Sequence, residues 1–173
     1  MKIKEQKIND FLESVSAKTS TPGGGAVAAL SGAMAAALIE MVCNLTIGKK
    51  GYEKMEKDIK ILRYKAIKTK KGFLKSADRD VEAFNKVMEA YKIPKTDKSR
   101  MSKIQRALKY ATEVPTQTAK LAVEIEKLAK RVAKIGNKNA ISDAKTAGHL
   151  AKAAYSSAME NVKINKDTLA RLK

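Results

Sequence analysis

The residues best suited to chemistry in this chain are a few carboxylates and amides set along apolar helical stretches, and one glycine-rich loop. Asp80 and Asp78 flank the apolar seam of a long periodic segment, while Glu82 points away from it. A carboxylate at a seam edge is partly buried, its pKa rises, and it suits general acid–base work; the competing role is a salt bridge to a nearby lysine. Asn161 and Asn165 lie one turn apart on the stripe reached by continuing from Ala158. Buried amides need partners, so this pair either locks a helix junction or binds something polar. Asp143 falls beside the same seam. Thr21-Pro22-Gly23-Gly24-Gly25 precedes a helix of small residues. Bare amides at a helix N-terminus attract anions and glycines admit a ligand closely, although such a loop also serves simply to join two packed helices. The same letters satisfy a Gly-x-Gly-x-x-Ala dinucleotide fingerprint, but that needs a preceding strand, and Ala17 to Pro22 is not one. His149 faces outward and is the only histidine; Cys43 is the only cysteine. A Ser-His-Asp triad, a multi-histidine metal site, a cysteine cage and an internal disulfide are therefore excluded.

Five helical segments must position these groups. Ile8, Phe11, Leu12 and Val15 predict an amphipathic helix, ended by the breakers from Lys18 to Gly25. Ala26 to Ile47 is apolar on nearly every side and rich in Ala, Gly and Ser, as a central helix would be. Gly48-Lys49-Lys50-Gly51 breaks the chain. Tyr52 to Tyr91 carries a heptad-like seam of Met55, Ile59, Leu62, Ala66, Phe73, Ala77, Val81, Phe84, Met88 and Tyr91, with one missed contact at Thr69 and a bend expected at Gly72. Ile93-Pro94 closes it, and Asp97 or Ser99 can cap the next helix. That helix uses Ile104, Leu108, Ala111, Ala119, Ala122, Ile125 and Leu128; Pro115 cannot donate to the Ala111 carbonyl, so a kink or break is expected there. After Gly136-Asn137-Lys138-Asn139, the last helix runs from about Ala140 to Asn165 on an alanine seam. No repeat, linker or strand-like alternation intervenes. The expected fold is all-α, a single-domain bundle of five to six helices around a central small-residue helix.

Length and composition agree. The 173 residues can bury a core without staples, and 44% hydrophobic against 31% charged residues excludes wholesale disorder. Thirty-six basic residues against 18 acidic give a net charge of +18, a field that favours an anionic partner or marks a lysine-rich surface. The polar N-terminus carries no secretory signal, and the apolar run Ala26 to Ile39 is too short to span a bilayer. A soluble, cytoplasmic protein without membrane attachment is expected.

Six blocks then occur in one order: Thr21 to Gly25 with its alanine-rich helix, Met41 to Lys50, Asp80 to Phe84, Ala111 to Pro115, Gly136 to Asn139 with Ser142-Asp143, and Asn161-Val162 with Asn165. The set resembles the cyclodeaminase domain of formiminotransferase-cyclodeaminase and its stand-alone bacterial relatives, the methenyltetrahydrofolate cyclohydrolases. The resemblance spans about Ile8 to Asn165, and the stretch from Val42 to Tyr52 and the turn from Ala90 to Lys95 are closer to the cyclohydrolases. It implies a helical homodimer that binds a folate, possesses no prosthetic group or metal, and acts at the carbon bridging N5 and N10. Water added to 5,10-methenyltetrahydrofolate gives 10-formyltetrahydrofolate; the related deaminase closes 5-formiminotetrahydrofolate and expels ammonia. On this resemblance Asp143 and Asp80 form the acid–base pair. Lys49 holds a carboxylate of the folate tail. Pro22, Gly23, Gly24 and Gly25 hold a pterin or tail oxygen, while Asn44, Asn137, Asn139, Ser142 and Asn161 bind the substrate. The positive charge suits a polyglutamylated tail. Family members extend further at the C-terminus, so the chain is expected to lack their last helix. The rival readings are a non-catalytic helical scaffold and a basic nucleic-acid-binding module, the latter without any helix-turn-helix, RNA-binding aromatic pair or zinc motif to support it.

Overall fold

The computed structural model describes residues 2–172. Helices α1 (Ile8–Ser16), α2 (Gly24–Asn44), α3 (Glu56–Lys92), α4 (Arg100–Ile135) and α5 (Ile141–Ala170) are joined by short turns, with 3₁₀ turns at Ile3–Glu5, Glu53–Met55 and Lys138–Ala140. No strand occurs among the described residues. Helices α2 to α5 run up, down, up and down, and α2 packs on all three of the others. The all-α single bundle with a central small-residue helix is thus as expected from periodicity.

Small residues set the spacing at the centre. Ala26, Ala29, Ala35, Ala36 and Ile39 of α2 are fully buried. A Cβ on Gly32 would overlap the buried Phe73 ring, with Cδ1 at 2.7 Å. Glycine here lets the largest side chain of the core lie across the α2 backbone, a close approach that any side chain would forbid. Helix α2 is 21 residues long and contains an 18-residue window with a mean hydropathy of 1.9, so by length and composition alone it could cross a membrane. The expectation that the apolar stretch is too short is corrected. Its hydrophobicity is used in the bundle core, where 56% of that window is buried.

The α3 seam also differs from expectation. Interior positions run Ile59, Leu62, Ala66, Thr69, Phe73, Ser76, Asp80, Ala83, Val87 and Ala90, an unbroken alternation of three and four. Thr69 is therefore inside rather than a missed contact, its hydroxyl donating to the Lys65 carbonyl at 2.9 Å. Beyond Ala77 the expected seam is one residue out of step: Met88 is 43% and Tyr91 37% exposed, and Asp80 stands on the interior stripe itself. Gly72 lies inside an uninterrupted α3 and admits Leu121 of α4, whose Cδ1 would lie 3.1 Å from a Cβ. Pro115 is buried inside an unbroken α4, so no break falls there. Helix α1 is formed as expected, but its apolar face is barely covered: Phe11 is half-buried, while Ile8 and Leu12 are 81% and 56% exposed.

Helix α2 is much shorter than the 37, 36 and 30 residues of α3, α4 and α5. The outer helices overrun its N-terminus. Two small clusters hold this overhang together, one of Ala83, Ala111 and Val114, the other of Ala90, Ile104 and Leu108.

Candidate active site

The overhang leaves a cavity of about 320 Å³ above the first turn of α2, at the lower end of the size of small-molecule sites. Its floor is Ser20, Thr21 and Gly23 to Gly25, and its walls are Asp80 to Tyr91 of α3, Leu108 and Ala111 of α4, and Asn161 to Thr168 of α5. Phe84, Val87, Leu108 and Ala111 supply an apolar wall, and Asp80, Asn161, Asn165 and several hydroxyls converge on the rest.

Asp80 is the central one. Burial raises its pKa from 3.8 to about 6, against the Ala26 backbone N–H at the head of α2, which favours the ionised form. A Cβ on Gly25 would collide with this carboxylate, with Oδ2 at 2.7 Å. Gly25 is therefore required because the helix must begin directly against an acid. This revises the reading of the glycine loop as a site for a ligand oxygen: the anion at the helix start is the protein's own Asp80. Gly23 and Gly24 line the cavity floor, and Pro22 is half-buried beside it.

The amides face the same space. Asn161 donates its Nδ2 to the Ser157 carbonyl at 3.0 Å, and Asn165 donates its Nδ2 to the Ala111 carbonyl at 2.7 Å. Each commits one N–H of its NH₂ group to a carbonyl, which orients the amide and leaves its Oδ1 as an acceptor beside the second N–H. Asp78, the other seam-edge acid, is spent on structure: it accepts from the Ile3 amide at 2.7 Å and ties the N-terminal turn to α3.

The remaining expected site residues gather elsewhere. Asn137 is buried and binds the far end of α2: its backbone N–H donates to Thr46 Oγ1 at 2.9 Å, its Nδ2 donates to the Leu45 carbonyl at 2.9 Å, and its Oδ1 accepts from the Asn139 amide at 3.1 Å. Asn44 accepts from Arg63 at 3.2 Å on the surface. Lys49 sits exposed in the turn between Gly48 and Gly51, whose φ values of 73° and 89° demand glycine. Asn139 and Ser142 are exposed and Asp143 is half-buried at the start of α5. Eighteen residues of α5 separate Asp143 from Asn161, about 27 Å at 1.5 Å per residue. Asp143 and Asp80 are thus not a pair within one chain, because α2 holds their clusters at its opposite ends. Lys49 likewise cannot reach a ligand in the glycine-end cavity of its own chain. Asn137 is engaged in joining helices rather than free to bind.

Sequence reasoning missed the walls Phe84, Leu108 and Thr168 and left Asn165 open between locking a helix junction and binding something polar. Their signal is the register of the three long helices beyond the α2 start. His149 is exposed as expected, and the buried Cys43 thiol is pushed up to about 11 by burial, which leaves it unreactive. Among the described residues no group of three or more His, Cys, Asp or Glu could hold a metal.

Comparison with known proteins supplies the lineage. A model of the formiminotransferase-cyclodeaminase family matches residues 7–171. A methenyltetrahydrofolate cyclohydrolase from Methylorubrum extorquens is 46% identical over 164 residues, covering 92% of this chain and 79% of that protein. A formimidoyltransferase-cyclodeaminase from Gallus gallus is 32% identical over 162 residues, 90% of this chain but only 29% of that larger protein. The crystal structure of formiminotetrahydrofolate cyclodeaminase from Thermotoga maritima matches with a TM-score of 0.89 at 35% identity, over 96% of this chain and 81% of that one. Sequence and fold agree along nearly the whole length, and the chain belongs to the formiminotransferase-cyclodeaminase family.

Proposed function

We propose that this protein hydrolyses 5,10-methenyltetrahydrofolate to 10-formyltetrahydrofolate, with Asp80 as its proton-transfer group. The observation that carries the reading is a carboxylate of pKa about 6 in a cavity where the oriented amides of Asn161 and Asn165 present their Oδ1 acceptors. A reduced pterin offers a row of N–H donors on a flat ring, which suits acceptor groups over the apolar wall of Phe84, Val87 and Leu108. Near neutral pH Asp80 is mostly ionised and takes a proton as the water oxygen bonds to the bridging carbon. The C–N5 bond then breaks as N5 receives that proton from Asp80, the carbinol hydroxyl gives up its own proton to solvent as the C=O bond forms, and the formyl group stays on N10. One carboxylate completes the cycle, because its pKa allows it to be base and then acid at the same pH. The 46% identity to a cyclohydrolase supports this choice of reaction.

The likeness to a cyclodeaminase structure supports a second reading. With the formimino nitrogen protonated, N10 of 5-formiminotetrahydrofolate attacks the formimino carbon, Asp80 takes the N10 proton and returns it to that nitrogen, and ammonia leaves as the methenyl cation forms. Methenyltetrahydrofolate is the product there and the substrate in the first reading, so one site serves both.

A homodimer fits the exposed stripe of Val27, Met34, Met41 and Leu45 on α2, with the half-buried Leu38 along it, at heptad-like spacings of seven, four and three. A two-fold axis perpendicular to α2 would set two such stripes antiparallel. It would bring the Asp80 end of one copy to the Asp143 and Lys49 end of the other. The positive charge supports a polyglutamylated folate in a cytoplasmic setting, and affinity is expected to rise with tail length.

The test is decay of the methenyl chromophore in a buffer where spontaneous hydrolysis is slow. The protein is expected to accelerate the loss, and Asp80→Asn to reduce it by about 10²-fold or more. Full turnover by a folded Asp80→Asn protein removes Asp80 from the mechanism; no turnover by the wild type, with 5-formiminotetrahydrofolate consumed instead, selects the deaminase.

A further inference from the structure

Pro115 lies in the middle of α4 and has no N–H to give to the Ala111 carbonyl, four residues back. That carbonyl is not left alone. Asn165 of α5 donates its Nδ2 to it at 2.7 Å across the helix interface. A carbonyl can only accept, so this bond fixes which end of the Asn165 amide points where. The NH₂ faces α4 and the Oδ1 is turned away from it. Asn165 and Ala111 both line the cavity that holds Asp80, whereas Pro115 does not. The cavity wall thus contains an amide whose orientation is set by a residue outside the cavity.

We propose that Asn165 is a substrate-binding residue that accepts a hydrogen bond from a pterin N–H, and that Pro115 positions it by freeing the Ala111 carbonyl. This rests on the folate reading of the same cavity. The chemistry is economical because an alternative residue at 115 would return an N–H to Ala111 and compete with Asn165 for the carbonyl. Released from it, the amide can rotate, and the acceptor presented to the ligand is lost for part of the time. The next residue, Thr116, donates its hydroxyl to the Thr112 carbonyl at 2.7 Å within the same turn of α4.

The experiment is a double-mutant cycle on the full chain with Pro115→Ala, Asn165→Ala and both together, reading kcat and KM with 5,10-methenyltetrahydrofolate. Asn165→Ala is expected to lower kcat/KM by about tenfold, the loss of one oriented hydrogen bond, chiefly through KM. Pro115→Ala is expected to reproduce part of that loss without touching the ligand, and the double variant to be no worse than Asn165→Ala alone. Independent, multiplying losses would overturn the link between the two residues, and wild-type KM in a folded Asn165→Ala protein would overturn the binding role. Should Asn165→Ala not fold, Asn165→Asp keeps the shape but cannot donate to Ala111, and Pro115→Ala alone still reads the link. A substrate-independent arm separates this proposal from the folate reading. In the wild type, the Asn165 side-chain NH₂ is expected to be protected in amide NMR, and Pro115→Ala to abolish that protection. A protein inactive on folates but with the protected NH₂ removes the substrate and the binding role while leaving the lock; an unprotected NH₂ in active wild type removes the lock alone.

Discussion

Asp80 is a carboxylate whose ionisation folding opposes, and this has a sign that can be tested. In the unfolded chain it titrates as an ordinary aspartate near 3.8, and in the folded one near 6. Folding therefore favours the protonated form: the group costs nothing below pH 4, its penalty grows from about pH 4 to 6, and it stays constant above. Replacing it by asparagine is expected to stabilise the protein at neutral pH by at most about 3 kcal/mol, less what residual solvent screens, and to change little at pH 4. Urea denaturation of both proteins at pH 4 and pH 7.5 checks this; equal stability differences at the two pH values would place the titration elsewhere. A variant that is more stable and inactive is the expected signature of a strained catalytic acid. Asp80 was legible because apolar residues at threes and fours surround it, although counting Val81 as interior put it at the edge rather than on the stripe. The place of Asp143 beside the α5 seam was legible from spacing but its role came only by resemblance, and nothing in its spacing places it on the opposite end of α2 from Asp80.

Among the elements, helices were read more readily than their junctions. The alanine seam of α5 was visible from Ala140 to Ala158 because one small residue per turn has no other use. The α4 seam was equally visible, but the break allowed for at Pro115 does not occur, and the carbonyl that the proline leaves free finds a partner. That partner, Asn165, lies 54 positions away along the chain, beyond any local pattern. Close approaches are the other hidden quantity. Gly32 lies where the Phe73 ring crosses α2. Alanine there would gain about 1 kcal/mol of helix propensity but overpack the core at a cost of about 1–3 kcal/mol. Gly32→Ala is therefore expected to lower the thermal midpoint, whereas Gly24→Ala, with nothing within 4 Å of its Cβ position, is expected to leave it near wild type. Differential scanning calorimetry on the two variants separates packing from propensity.

For the molecule as a whole, the exposed stripe on α2 and the split between the two residue clusters lead to one expectation. Met34→Lys with Met41→Lys should give a monomer by analytical ultracentrifugation. If the site draws on both copies, turnover falls with it although Asp80 is untouched; an active monomer would confine the chemistry to the glycine-end cavity. The bundle itself was legible from composition, because a chain so rich in alanine and lysine and so poor in proline has few other ways to bury its apolar stripes. The cavity was not, because it arises from helices of unequal length.

That inequality has a thermodynamic corollary. The cavity takes its walls from α3, α4 and α5 and its floor from the loop entering α2, so it has no existence in a partly unfolded chain. Any compound that fits it binds the native state alone and draws the folding equilibrium toward it. At a hundred times its dissociation constant the ligand adds about 2.7 kcal/mol to the unfolding free energy. Hydrogen exchange should slow most in the overhanging turns around Ala90 and Leu108, where only small satellite clusters hold the helices together without it. Occupancy would then serve as the missing core of the overhang, so the resting protein would be the more labile and the working one the better folded.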